Sequence, residues 1–319
     1  LSTPRDIVEN PYSAVVFAYH DVGVRCLAVM LAHGVKVELV VTHRDDPREN
    51  VWFESVEKLA RANDLEVATP DNPNSPEFLQ RLTDISPDFI FSFYYRFMLS
   101  PAALATAMRG AFNMHGSLLP KFRGRAPVNW AVLRGESATG ATLHEMVEKP
   151  DAGRIVDQFP VPILPDDRAI DVFRKVTVAA ELLLDRALPG VLDGMAPLIT
   201  QDLSQGGYFR GRKADDGRID WTRGAREIHN LVRAVAPPYP GAFTLLGAQR
   251  MRILASRPVG QKRVPVQPTL RLADGYLLAE CADGSQLRIL ECDLDGVTLD
   301  AATFAEHFGH EPVPLGEYS

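Results

Sequence analysis

The chain has 319 residues, 46% hydrophobic and 24% charged, ordinary globular usage that excludes wholesale disorder and leaves room for two unequal cores. Its net charge of −7 and pI near 5.7 have the wrong sign for a surface that tracks nucleic acid throughout. Three scattered cysteines, Cys26, Cys281 and Cys292, exclude a disulfide framework and a CxxC zinc site and fit a reducing, cytoplasmic setting. No apolar run approaches the about 18–20 residues of a membrane span. The opening LSTPRDIVENPYS lacks a signal-peptide core, and its leading Leu1 suggests a trimmed start.

The first element is Ser13–Tyr19, a short β-branched apolar run that reads as a buried strand. An amphipathic helix to His33, stopped by Gly34, and a second strand over Val35–Thr42 complete a βαβ opening. That opening predicts a parallel sheet with helices on its faces. The pattern continues with a helix over Asn50–Asn63, a strand at Glu66–Ala68, a helix over Pro76–Ile85, a strongly apolar strand Pro87–Phe93 and an Ala-rich helix Pro101–Met108. After Gly140 the period changes to 2 in ATLHEMV, a further strand-like run follows in IVDQFPVPI, and a helix spans Ala169–Pro189. From Gly206 to Trp221 the chain is polar and turn-rich, then a short helix covers Ala225–Ala234. Beyond the Pro237–Gly241 corner, short strands with Asp-Gly turns run to Leu299, the pattern of a small β-barrel or sandwich. A boundary falls near residues 205–212, and there are no internal repeats.

The first strand–helix turn, YHDVGVR, carries one glycine, Gly23, in place of GxGxxG, and no GxxxxGK[ST] occurs. The sheet therefore lacks a dinucleotide or P-loop fingerprint and predicts no NAD. The sharpest feature is Phe112-Asn113-Met114-His115. On a strand, Asn113 and His115 share one face while Phe112 and Met114 take the other. An amide that donates to a developing oxyanion beside an imidazole that moves a proton suits acyl transfer. The same pair at a strand end also fits a purely structural hydrogen bond. From Arg109 to Arg134 there are five cationic residues and no acidic one, which favours an anionic ligand or a solvated loop. Asp151, in a Lys-Pro-Asp-Ala-Gly turn, could return to His115, fix its tautomer and favour the imidazolium; by default it is a turn residue. Tyr94, Tyr95 and Arg96 follow a strand at the sheet end where α/β sites form. His229, Asn230 and Arg233 share a helical face suited to packing one domain against the other. His307 and His310 lack a third ligand and predict no metal site. A second acid-free window, Ile228–Ala273, has Arg233, Arg250, Arg252, Arg257, Lys262 and Arg263 among its cations. It alone has the electrostatics for RNA.

FNMHGSLLPKFRGRAPVNWAVLRGESATGATLHEMVEKPDAGRIV (Phe112–Val156) resembles the signature of the folate-dependent formyltransferases: an Asn, a His two residues later, SLLP, a RGxAP loop, TG and a distal Asp before Gly. The resemblance is closest to the UDP-4-amino-4-deoxy-L-arabinose branch, which serves lipid A modification and polymyxin resistance. It extends to VVFAYHDVG, THRDDP, PDFIFSFYYR, DGRIDW and HNLVRAVAPPYPGAF. Methionyl-tRNA formyltransferase is similar in outline but usually has Ala where this chain has Gly116 and generally lacks the FYYR run. The resemblance implies an α/β fold with a Rossmann-like catalytic domain, residues 1–208, and a smaller OB-like C-terminal domain, residues 209–319. It implies N10-formyltetrahydrofolate as donor and a UDP-linked amino sugar as acceptor, with methionyl-tRNA or another nucleotide-linked amino sugar as alternatives. Carried over, Asn113 holds the oxyanion, His115 transfers the proton and Asp151 supports His115. Folate lies against Phe97, Met98 and Leu99 and against Val147, Glu148, Lys149, Pro150 and Asp151, with Arg125 nearby. Bifunctional members of the branch continue into a decarboxylating dehydrogenase. This chain stops at Ser319, so formyl transfer alone is expected, from a standalone enzyme or an excised domain. The sequence is silent on oligomeric state.

Overall fold

The computed structural model describes residues 11–47, 49–261 and 264–316. Lys262 and Arg263 of the second basic window lie outside the described residues, as does most of the N-terminal segment. In chain order the elements are β1 (Ser13–Ala18), α1 (His20–Ala32), β2 (Lys36–Val41), α2 (Val56–Ala62), β3 (Val67–Ala68), α3 (Pro76–Ile85), β4 (Phe89–Phe93), α4 (Pro101–Leu104), β5 (Gly110–His115), β6 (Arg123–Gly124), α5 (Pro127–Leu133), β7 (Ala138–Glu145), β8 (Ile155–Pro162), α6 (Ala169–Leu192) and β9 (Tyr208–Phe209). They are followed by α7 (Ala225–Val235), β10 (Ala242–Leu246), β11 (Gln249–Gln261), β12 (Thr269–Ala273), β13 (Tyr276–Glu280), β14 (Ser285–Leu294), β15 (Val297–Thr298), α8 (Ala301–Phe308) and β16 (Val313–Pro314). No described helix is long and apolar enough to cross a membrane.

The chain divides into two compact units. The first holds residues 1–127, 139–161 and 174–209, and the second holds 128–138, 162–173 and 210–319. The first is Rossmann-like, a seven-stranded sheet in the order β3-β2-β1-β4-β5-β7-β8. The pairs β2–β3, β1–β2, β1–β4 and β4–β5 are parallel. The βαβ reading therefore holds up to β5, where β7 joins antiparallel. One face buries Val15, Phe17, Leu39, Val41, Phe78, Leu82 and Ile90. On another run of the same strands Phe89, Phe91, Phe93 and Phe112 stack with ring centroids 5.8–6.3 Å apart. Strands buried on both faces lose the polar alternation, which is why PDFIFSF reads as a continuous apolar run.

Two helices are shorter than their composition predicts. α2 begins at Val56, where Ser55 accepts a hydrogen bond from Lys58 N–H and caps it. α4 ends at Leu104 because the chain beyond it is drawn to β4: Met108 and Arg109 N–H donate to the carbonyls of Pro87 and Asp88 at 2.9 and 2.8 Å. The second unit is an antiparallel sheet in the order β10-β11-β14-β13-β12-β16. β11 is long and carries register shifts against β14, the device by which such a sheet curves.

The chain order makes a switch point between β1 and β4, where connections leave in opposite directions and α/β ligand crevices open. Tyr94, just past β4, has φ +60, a left-handed conformation unusual for a bulky residue. Its hydroxyl is buried and fills the space beside Gly116, where a Cβ would stand 1.9 Å from Oη and 2.9 Å from Cζ. Gly116→Ala is expected to destabilise the chain by about 1–3 kcal/mol through this collision. Tyr94→Ala in the same chain should relieve most of that loss, and Tyr94→Phe, which removes the 1.9 Å contact but keeps Cζ at 2.9 Å, only part of it. Urea unfolding of the single and double variants checks this, and additive losses would refute it.

Candidate active site

Parallel register places Ser92 of β4 beside Asn113 and Phe93 beside Met114, so Asn113 and His115 reach the C-terminal end of the sheet. On the other side β7 runs antiparallel, with Asn113 opposite His144 and His115 opposite Thr142. His144 is the residue that sequence reasoning missed. It lies inside the ATLHEMV strand, and its signal was a buried histidine on the alternating face next to Asn113. Asn113 Nδ2 is 3.1 Å from His144 Nε2. His144 Nδ1 is 2.7 Å from the Glu145 carbonyl oxygen, which can only accept, so Nδ1 carries the proton and Nε2 accepts from the Asn113 amide.

The segment after β5 is tied down by side chains. Thr142 Oγ1 donates to Ser117 O at 2.6 Å and accepts from Leu119 N–H at 3.1 Å. Ser117 Oγ donates to Lys121 O at 2.6 Å. This delivers the Phe122 carbonyl to His115 Nε2 at 2.9 Å and the Gly124 N–H to Asp151 Oδ2 at 2.7 Å. His115 Nδ1 then faces Asp151 Oδ1 at 3.6 Å, the same separation that Oδ1 keeps from His144 Nε2.

Asp151 is in a turn with φ +53, and the turn can lie against β7 because residue 153 is glycine. A Cβ there would meet the Glu145 carbonyl oxygen at 2.0 Å. Gln201 secures the turn by donating to the carbonyls of Asp151 and Gly153 at 3.0 and 2.6 Å. Burial of the Asp151 carboxyl works to raise its pKa. The imidazole of His115 first, then that of His144, and the Gly124 N–H outweigh it and hold the group well below the usual carboxylate range. The site therefore contains a fixed, ionised carboxylate between two imidazoles. Next to it is an amide whose orientation is set by one of them.

The residues expected around the donor are distributed as follows. Phe97 and Met98 are exposed, Leu99 packs on the core, and Met98 O accepts from Asn74 Nδ2 at 2.8 Å. Val147, Glu148 and Lys149 are exposed and Pro150 is half-buried. Met146, just before them, packs on the same core cluster as Leu99, so both loops start against one face of the sheet. Arg125 is exposed, with its N–H on the Phe209 carbonyl at 2.9 Å. Its neighbour Arg123 is buried, with Nη2 on the carbonyls of Leu203 and Gly206.

Beyond β1 and β4 sits a dense aromatic group. His20, itself at φ +68, stacks on Phe53 at 3.9 Å, and burial lowers its pKa to about 3. His43 stacks on Tyr95 at 4.2 Å and accepts from Arg96 N–H, with burial lowering it to about 4. Arg96 is held by the Glu49 carboxylate at 2.8 and 2.9 Å and lies over the Tyr19 ring. Tyr95 and Arg96 thus pack the loop that leads to Phe97.

The polar face of α7 meets the segment that precedes α6, which clusters with the second unit. His229 contacts Ser256 Oγ and the Pro165 carbonyl, and Arg233 donates to the Asp167 carbonyl at 3.1 Å, all within the second unit. Among the described residues no group of three or more His, Cys, Asp or Glu could hold a metal ion. The three cysteines are free and buried.

This architecture matches known proteins. The description "Formyl transferase" matches residues 26–188 and "Formyl transferase, C-terminal domain" matches residues 212–309. Among solved structures, WlaRD, a sugar 3N-formyl transferase in the presence of dTDP and 5-N-formyl-THF, superposes with a TM-score of 0.69 at 20% identity, covering 88% of this chain and 97% of its own. The N-formyltransferase from Helicobacter canadensis, in complex with folinic acid and dTDP-3-aminofucose, gives 0.67 at 20% identity, covering 87% and 98%. HypX from Aquifex aeolicus in complex with tetrahydrofolic acid gives 0.61 at 16% identity, covering 97% of this chain and 51% of its own. At these identities the structural likeness is one of fold. The family matches run through both halves of the chain, around an amide, two imidazoles and an ionised carboxylate: the protein belongs to the formyl transferase family.

Proposed function

We propose that the chain transfers a formyl group from N10-formyltetrahydrofolate to the 4-amino group of UDP-4-amino-4-deoxy-L-arabinose. The observation that carries the reading is the convergence of Asn113, His115 and Asp151 at the end of β5, with His144 orienting the amide. Family membership supports formyl transfer. Two structural neighbours named as formyltransferases, crystallised with a reduced folate and a dTDP ligand, support the donor and a nucleotide-linked amino sugar. The UDP-arabinose acceptor rests on the resemblance of FAYHDVG, FYYR and the Phe112–Val156 signature.

The acceptor amine forms a C–N bond to the formyl carbon as the carbonyl π pair moves onto oxygen. Asn113 Nδ2 keeps one N–H on His144 and has a second to offer that oxygen. His115 takes the amine proton at Nδ1; the resulting imidazolium has the Phe122 carbonyl for one N–H and the Asp151 carboxylate for the other. Return of that proton to N10 lets the C–N10 bond break, and the electron pair leaves with tetrahydrofolate. The balance needs no redox partner and leaves the enzyme unchanged. The exposed apolar side chains of Phe97, Met98 and Val147 offer surface for the flat pterin ring.

The basic window Ile228–Ala273 does not favour the tRNA alternative. Arg252 is paired with Asp293 at 2.9 Å and Arg257 with Asp166 at 2.8 Å, and Arg233 is buried against carbonyl and amide oxygens. Phosphate contacts need free cations.

Three outcomes test the reading. Incubation with N10-formyltetrahydrofolate and UDP-4-amino-4-deoxy-L-arabinose should give the 4-formamido product by mass spectrometry; folate binding without product would sink the assignment. Asn113→Ala should lower kcat by about 10²–10³-fold with little change in donor affinity, and His115→Ala by about 10²–10⁴-fold. For Asp151 the folded pKa lies below its ordinary value of 3.8. The ionised group therefore contributes stability above that value, and the contribution fades as pH falls through the lower folded pKa. The melting-temperature difference between the wild type and Asp151→Asn should accordingly shrink as pH drops below about 4. A difference independent of pH would contradict it.

A further inference from the structure

We propose that Asn74 is a positioning residue for the folate donor, its side-chain amide holding the Phe97-Met98-Leu99 loop in the conformation that receives it; this rests on the reading that the donor lies against that loop. Asn74 stands in the turn between β3 and α3, in the same unit as the loop.

The amide is used at both ends. Its Nδ2 donates to the Met98 carbonyl at 2.8 Å, and its Oδ1 accepts from the Ser100 N–H at 2.7 Å. A carbonyl only accepts and an N–H only donates, so the two bonds fix which way the amide points. Together they are the pair that a neighbouring parallel strand makes across one residue, here Leu99, with a side chain standing in for the strand. Asn74 is itself held: its N–H donates to Asn72 Oδ1 at 3.0 Å, and the Ser75 N–H donates to the Asn72 carbonyl at 3.2 Å. Ser75 in turn caps α3, accepting from the Phe78 N–H at 3.3 Å. Phe78 and Leu82 anchor that helix in the core. The amide therefore projects from a turn that is fixed on its own account.

The loop depends on such a partner. On one side the Arg96 N–H donates to His43 Nε2 at 3.0 Å and the Arg96 guanidinium is held by Glu49. On the other, Leu99 packs on the core and Ser100 caps α4. Between these anchors Phe97 and Met98 are 43% and 59% exposed, so burial does little to hold them. Phe97 has an edge contact with the His43 ring at 4.8 Å, and the Met98 carbonyl has Asn74. A ligand that meets a loop already in place loses less freedom on binding. Released from Asn74, the loop has to be ordered by the ligand, and the apparent affinity falls by the fraction of molecules in the receptive conformation.

Calorimetric titration of the intact chain with 5-formyltetrahydrofolate tests the assignment. Asn74→Ala should weaken binding by about tenfold, as expected for one or two lost hydrogen bonds. Asn74→Asp should weaken it at least as much: it keeps an acceptor for Ser100 but sets an oxygen against the Met98 carbonyl. The loss should persist at high salt, which screens the added charge. Aspartate suits turns as asparagine does, so a role confined to the turn would leave Asn74→Asp with wild-type affinity. Should Asn74→Ala lower the melting temperature, Asn74→Asp alone decides. In turnover the donor KM should rise by the same factor, with kcat at saturating donor and the acceptor KM unchanged. Wild-type folate affinity in Asn74→Asp, or an acceptor KM that rises with the donor KM, would overturn the proposal and leave the donor reading intact. A wild-type chain that binds no reduced folate would overturn the donor reading and this inference with it.

Discussion

The charge of Asp151 organises the active centre. A carboxylate that is mostly buried would ordinarily take up a proton; here two imidazoles and a backbone N–H keep it ionised. Each of those partners has to be delivered from a different part of the first unit. β5 brings His115, β7 brings His144, and the segment tied to Thr142 brings the Gly124 N–H. Gly153 lets the carboxylate itself approach the end of β7. The charge is thus the reason for several features that look unrelated along the chain. It also gives the proposed proton carrier, His115, a counter-charge that does not have to reorganise during the reaction.

Much of this was legible in the residues. The alternation of Phe112-Asn113-Met114-His115 gave the strand and the shared face of the two polar side chains. The apolar runs marked β1, β2 and β4 because strands covered on both sides leave little ambiguity. His144 was not legible, since its place depends on an antiparallel pairing that no local period specifies. The length of α4 was hidden for a similar reason: Ala105–Met108 has helical composition, but the carbonyls of Pro87 and Asp88 compete for its backbone. Local propensity yields to such tertiary partners. For the donor side, Phe97, Met98, Val147 and Arg125 are exposed, and exposed residues have no packing constraint that a sequence pattern could reveal.

Charge was the least reliable guide. The stretch Ile228–Ala273 contains no acid in sequence, yet two of its arginines, Arg252 and Arg257, meet carboxylates from outside it, Asp293 and Asp166. In Arg109–Arg134, Arg109 lies over the Tyr12 and Phe89 rings and Arg123 is buried among carbonyls. A run of like charge in sequence is therefore a poor measure of surface potential once the chain folds. Buried guanidinium nitrogens without an acceptor occur among the described residues in both settings, at Arg123 inside the acid-free run and at Arg212 in a mixed, acid-containing segment.

The antiparallel entry of β7 has a consequence for how such a protein can vary. Side chains on a strand alternate between faces, so a shift of one residue exchanges every inward group for its neighbour. In β7 that exchange would remove His144 from Asn113 and bring Leu143 or the carboxylate of Glu145 to the opposing position. A single inserted or deleted codon anywhere along this strand would then strip the amide of its orienting partner while leaving all the residues of the signature in the chain. Loss of activity by such a change would be invisible to any inspection that checks only whether Asn113, His115 and Asp151 remain.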